Sequence, residues 1–277
     1  MRYFLSLLLL FSSLSAQRII TLSPAVNEIV FALGKGDDVV ANTEYCTFPK
    51  VSKALPKVGG YYNISLEKVL ALRPSLVILE KNNLSLVPKF QKLGIKTLAI
   101  STVSLPILFE SFKKIGDKIG AETEAKKLID SVQNSLLRTQ NILKDKKILI
   151  VFGSHLNLQK QVYVSGNHLY FADIIRASGN QNAFNGESTK QPTLSYEGLI
   201  ATNPDIIIIL APFAKQQHRS TEGIIKPWLS MPIIASKKRC IYVIDKAYAG
   251  IPSDRVRLFI RDFEGALHDA KDKLSKL

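Results

Sequence analysis

The chain has 277 residues, 46% of them apolar and 22% charged, which is enough to build large cores in one or two domains and too apolar for a disordered tail. Its formal net charge of +14 suits a polyanionic partner. However, the lysines and arginines are scattered over predicted helix faces, with no basic run interleaved with aromatics, so the charge reads as solvated surface with a weak preference for an anionic ligand, and nucleic acid is not expected.

The chain starts with a basic residue, Arg2, followed by an apolar run from Tyr3 to Phe11 broken only by Ser6, and then Ser12-Ser13-Leu14-Ser15-Ala16. Charge, apolar core and small residues in that order form a secretory signal, with cleavage expected after Ala16. The run is far shorter than the ~20 residues that span a bilayer. No Cys stands at the expected cleavage site, so residues 17–277 are expected without a lipid anchor, in an oxidising compartment outside the cytoplasm. Cys46 and Cys240 are the only cysteines; pairing would clamp the two halves of the chain together, and the sequence does not supply the geometry for it.

Residues 17–104 read as a first α/β unit. Arg18–Leu22 is a strand; Ser23 caps and Pro24 opens a helix that Gly34 ends. Ser65–Leu72 is a second helix, Leu76–Leu79 a buried strand, Leu86–Leu93 a helix and Thr97–Ile100 a strand. Such alternation predicts a mainly parallel sheet covered by helices.

From Leu105 to Leu143 the strand signals stop. Leu108, Phe112, Ile115, Ile119, Leu128, Ile129, Val132, Leu136 and Ile142 recur mostly at helical spacing. One long helix or two stacked helices fit, with Gly116 and Gly120 weakening the case for an unbroken rod. Residues 105–145 therefore read as an interlobe segment and 146–277 as a second α/β unit. In the latter, Lys147–Phe152, Val162–Ser165, Asp205–Leu210 and Cys240–Ile244 are predicted strands; Tyr170–Ala177, Glu197–Ala201 and Val256–Leu274 are predicted helices. The halves echo each other: in LEKVLALRPSLVIL (Leu66–Leu79) and YEGLIATNPDIIII (Tyr196–Ile209), a Glu opens a short helix, a Pro follows seven positions later and a buried strand comes next.

Motifs for nucleotide binding, nucleophilic catalysis and metalloproteolysis are missing, and His155, His168, His218 and His268 lie far apart in the chain. Ligand-type residues gather in loops after strands, where open α/β folds bind small molecules. Tyr45 and Phe48 lie in NTEYCTFPK, and Gly59-Gly60 present Tyr61 and Tyr62 as rigid aromatic surfaces. In the second half the polar loop Pro212–Glu222 holds Lys215, His218 and Arg219, and KAYAGIPSDR carries Tyr248 and Arg255. Lys215, Arg219 and Arg255 could grip carboxylates or phosphates; His218 and Tyr248 could ligate a metal that arrives already chelated. Trp228 reads as packing.

RIITLSPAVNEIVFALG, PKVGGYYNISLEKVLALRPSLVI and LGIKTLAIS in the first half, with SYEGLIATNPDIIII and IPSDR in the second, make the chain resemble the periplasmic binding proteins of the cobalamin, haem and ferric-siderophore ABC importers, most closely the vitamin B12-binding type. The resemblance implies two Rossmann-like α/β lobes joined by a single long rigid helix, the class III periplasmic binding protein architecture. It implies a non-enzymatic protein without a resident cofactor, acting as a monomer, that carries a metal complex between its lobes. Corrinoid or ferric siderophore is the ligand expected, with nickel or haem chelates as alternatives. The partner implied is an ABC permease dimer with its ATPase subunits, docked through Glu67 and Glu197, one on each lobe. Tyr45 and Tyr61 fall where the B12-binding type has cleft aromatics, and Gln191 stands where that type has Trp. A periplasmic enzyme or a sensor subunit on the same scaffold is the alternative class.

Overall fold

A computed structural model describes residues 17–187 and 191–276; residues 1–16, read above as a secretory signal, lie outside the described residues. The first half builds a four-stranded, all-parallel sheet. In chain order its elements are β1 (Ile19–Thr21), α1 (Pro24–Ala32), β2 (Val39–Ala41), α2 (Leu66–Ala71), β3 (Leu76–Glu80), α3 (Val87–Lys92) and β4 (Lys96–Ile100), with strand order β2-β1-β3-β4. Helix α1 begins as its sequence predicts: the Ser23 hydroxyl accepts a hydrogen bond from the Val26 amide at 3.2 Å, and Pro24 occupies the first turn. Val77, Ile78 and Leu79 are wholly buried, as a central parallel strand covered on both faces requires.

The interlobe segment differs from the single rod implied by the resemblance. It folds as two helices, α4 (Leu105–Ile119) and α5 (Glu122–Thr139). Gly120 takes left-handed backbone angles, φ 66° and ψ 53°, and its amide and that of Ala121 both bond the Gly116 carbonyl, closing α4. Gly116 lets the next helix approach: a Cβ there would lie 2.8 Å from the Ala125 Cβ. Leu108, Phe112, Ile115 and Ile119 bury one stripe of α4 in a core that also holds Ile78 of the first sheet and Ile150 of the second. The two halves are thus joined by continuous packing.

The second half contains β5 (Lys147–Phe152), β6 (Val162–Val164), α6 (Tyr170–Ala177), β7 (Gln181–Asn182), β8 (Thr193–Leu194), α7 (Tyr196–Thr202), β9 (Ile206–Leu210), α8 (Thr221–Ile225), α9 (Ile234–Lys237), β10 (Ile241–Ile244) and α10 (Val256–Ser275). The strand order is β10-β9-β5-β6-β8; β10, β9, β5 and β7 run parallel, and β6 is antiparallel to both β5 and β8. Trp228 is fully buried in this half's own core, the packing role its sequence context predicts. Cys46 and Cys240 are both buried and both free. Among the described residues no helix is long and apolar enough to cross a membrane.

Candidate functional site: an aromatic cleft between the halves

The loops that follow parallel strands in both halves meet around an open cleft of about 570 Å³. Tyr45, Tyr61 and Tyr62 line it from the first half, with Pro24 and Glu44; Pro212, Phe213 and Ile251 line it from the second. Pro212 and Phe213 come directly after β9, and Ala247 and Gly250, also in the wall, come shortly after β10. This is the edge at which open α/β sheets bind ligands.

The Gly-Gly-Tyr-Tyr turn has a steric cause. Gly59 has φ +135°, and a Cβ on it would lie 2.3 Å from the Asn63 carbonyl oxygen. A Cβ on Gly60 would lie 2.6 Å from Asn63 Oδ1, the atom that accepts the Gly60 amide hydrogen bond at 3.1 Å. The backbone requires glycine at 59, and glycine at 60 leaves room for the Asn63 side chain; the product of the turn is a pair of rings packed edge to face, 5.0 Å apart at 78°. Burial, then the Glu80 carboxylate, pushes the Tyr61 phenol up to about 12, so it stays neutral at physiological pH. Tyr62, Phe213 and Tyr45 are 80%, 64% and 59% exposed. Three large rings open to solvent in one cleft mark a surface shaped for a partner.

A buried polar network anchors the loop that bears Tyr45. Asn27 of α1 donates to the Phe48 carbonyl at 2.9 Å and to Ser52 Oγ at 2.8 Å. Asn42 donates to Asn27 Oδ1 at 3.1 Å, and Lys57 donates to Asn42 Oδ1 at 2.6 Å and to the Ser52 carbonyl at 2.7 Å. With these groups satisfied by one another, the loop is held without leaving buried polar atoms unpaired.

The remaining predicted ligand residues lie elsewhere. His218 is exposed in a left-handed conformation, φ 51°, and is not among the residues lining the cleft. Arg219 turns back to donate to the carbonyl and hydroxyl of Ser154, the latter at 2.5 Å. The Tyr248 hydroxyl donates to Asp262 Oδ2 at 2.5 Å, and burial and that carboxylate push the phenol up to about 12. Among the described residues no group of three or more His, Cys, Asp or Glu side chains is placed to hold a metal ion. Arg255 is buried in an ion pair with Glu28 and is likewise not part of the wall. Gln191 is exposed and absent from the described lining. Conversely, sequence reasoning missed Phe213, whose signal is its place directly after the β9 run, and Glu28, which carries no local signal.

Glu67 and Glu197 occupy equivalent local settings. Each is exposed in the first turn of a short helix, α2 or α7, capped by a serine, Ser65 or Ser195, that accepts a backbone amide at 3.2 Å. Neither forms an ion pair with another described residue.

Two α/β halves braced by packed helices, with a ligand-sized cleft between them, define a two-lobed solute-binding protein. Residues 19–248 match the family described as "Periplasmic binding protein", and the chain belongs to that family of binding proteins. It is 30% identical over 272 residues to a vitamin B12-binding protein of Vibrio vulnificus strain CMCP6, covering 92% of this chain and 93% of the relative. Among solved structures, the periplasmic haem-binding protein of Vibrio cholerae superposes with a TM-score of 0.77 at 22% identity, covering 92% of this chain and 100% of that one. The periplasmic vitamin B12-binding protein of Vibrio cholerae does so with a TM-score of 0.75 at 20% identity, covering 92% and 98%. At these identities the superpositions establish the fold.

Proposed function

We propose that this chain is the periplasmic substrate-binding component of an ABC importer, secreted through a cleavable signal segment. It holds a metal-containing small molecule between its lobes and delivers it to a permease dimer coupled to ATPase subunits. The observation that carries this reading is the aromatic cleft shared by the two halves, together with an exposed glutamate in an equivalent capped first turn on each half. Rigid rings present contact area at low entropic cost, which suits a large, flat, partly apolar complex. Among the described lining residues Glu44 alone is charged, so a ligand of low net charge, such as a corrinoid, fits this wall better than a polyanionic ferric catecholate. The B12-binding relative points the same way. Haem is the second reading, favoured by the haem-binding structural neighbour.

Titrating the protein with cyanocobalamin, haemin and a ferric catecholate, read by quenching of intrinsic fluorescence, tests the ligand. Saturable binding of cyanocobalamin at micromolar concentration or below is expected, on the scale of about −8 kcal/mol. No saturation with any of the three overturns the reading. For the docking role, Glu67→Ala combined with Glu197→Ala is expected to abolish uptake in cells and leave the dissociation constant unchanged. Exposed ion pairs are worth only ~0.2–1 kcal/mol each, so these contacts orient a transient complex. Uptake at the wild-type rate in that double variant removes the docking assignment.

A further inference from the structure

The cleft accounts for Tyr45, Tyr61, Tyr62 and Phe213, and leaves unexplained a charge cluster buried where the halves meet. Glu28 of α1 and Arg255, just before α10, have side chains 2% and 8% exposed. Arg255 Nε donates to Glu28 Oε2 at 2.9 Å and Nη2 donates to Glu28 Oε1, while Ser253 Oγ donates to Glu28 Oε2 at 2.5 Å. The two-pronged contact fixes both the distance and the plane of the guanidinium. That plane lies over Phe48, with the guanidinium carbon 4.0 Å from the ring centroid.

Phe48 closes the loop that carries Tyr45. Helix α1 therefore holds this loop twice, by adjacent residues: Asn27 bonds the Phe48 carbonyl, and Glu28 fixes the arginine stacked on the Phe48 ring. An apolar pair of similar volume would stabilise the junction as well or better. The ion pair adds direction: it ties a residue of the second half to one angle and one height above a loop of the first.

Resting on the reading of the cleft as the ligand site, we propose that Arg255 is a positioning residue: through the Phe48 ring it sets Tyr45 against the opposite wall at Pro212 and Phe213. Ligand affinity then depends on two side chains, Arg255 and Phe48, that do not line the cleft.

Phe48→Leu and Arg255→Lys test this. Phe48 is 43% exposed, so its replacement leaves the cores intact; lysine keeps the charge of Arg255 but has no planar fork. Hydrogen exchange is measured without ligand, comparing amides 42–48 with those of Ile206–Leu210, and each variant is titrated with cyanocobalamin. Both variants are expected to speed exchange at 42–48 by roughly fivefold or more; Phe48→Leu leaves Ile206–Leu210 unchanged, and Arg255→Lys speeds exchange there less than at 42–48. Cyanocobalamin binding weakens about three- to tenfold, with the Phe48→Leu melting temperature at the wild-type value. Unchanged exchange at 42–48 in both variants, or exchange rising equally in both halves as for a plain brace, overturns the proposal. If the wild-type protein binds no cyanocobalamin, that ligand assignment fails, and the exchange comparison decides the positioning role by itself.

Discussion

Replacing Arg255 with Met removes the partner of a carboxylate with nowhere else to go. Glu28 accepts three hydrogen bonds, two of them from Arg255, and only the one from Ser253 survives the substitution. Breaking a buried pair from one side costs about 3–5 kcal/mol, against roughly 1–4 kcal/mol gained or nothing lost when both partners become apolar. Burial already pushes the Glu28 carboxyl above its ordinary value, with Arg255 and Ser253 opposing that rise. Without Arg255 the carboxyl takes up a proton more readily, so the cost of the variant shrinks as pH falls. For a chain of this size, 3–5 kcal/mol corresponds to a fall in melting temperature of about 10 °C. The assay is urea unfolding at pH 8 and pH 5 for wild type, Arg255→Met, Glu28→Met and the double variant. Each single variant is expected to be strongly destabilised at pH 8, and the double variant to lose at least about 2 kcal/mol less than the sum. Additive losses, or an Arg255→Met cost below about 1 kcal/mol, would mean that water reaches the pair and that it braces nothing.

Next to this pair, Asp254 is 8% exposed, and its Oδ1 is buried without a hydrogen-bond partner. Burial, then the Glu28 carboxylate, pushes its pKa from 3.8 to about 6. Because the folded carboxyl holds its proton more tightly than the unfolded one, this group favours folding below pH ~4, and about 3 kcal/mol of that advantage is lost as pH rises to 6 and above. Asp254→Asn is therefore expected to raise the melting temperature at pH 7.5 and to flatten its dependence between pH 4 and 6; an unchanged profile assigns the slope to other groups. Within the cleft, Tyr61→Ala removes a neutral aromatic wall and is expected to weaken cyanocobalamin binding by about tenfold or more, with little change in stability. An unaltered dissociation constant takes Tyr61 out of the site.

Most of the secondary structure was legible in the residues because its signals are local. The apolar runs at Leu76–Leu79, Lys147–Phe152 and Asp205–Leu210 became the central strands, and Ser23-Pro24 and Ser65 start helices where serine caps are expected. Strands β2, β7 and β8 and helices α8 and α9 were not seen, since segments of two to five residues are too short to carry a period. The break between α4 and α5 was hinted at by Gly120, yet the extent of the rod depended on whether Ala125 could fold back onto Gly116, a contact between turns of different helices.

By itself, the order of residues determined the α/β class, the division into two similar halves, the glycine turn that displays Tyr61 and Tyr62, and the paired first-turn glutamates. Each depends on neighbours within about a dozen positions, where backbone sterics and side-chain alternation act directly. Only the tertiary structure decided the fates of the arginines and of the second half's polar loops. IPSDR looks like a ligand grip in one dimension, but a guanidinium goes to the carboxylate that geometry brings within reach, and Glu28 lies 227 residues away in the chain. That pairing, like the meeting of Phe213 with the tyrosines across the cleft, exists only once two sheets have been packed against one pair of helices.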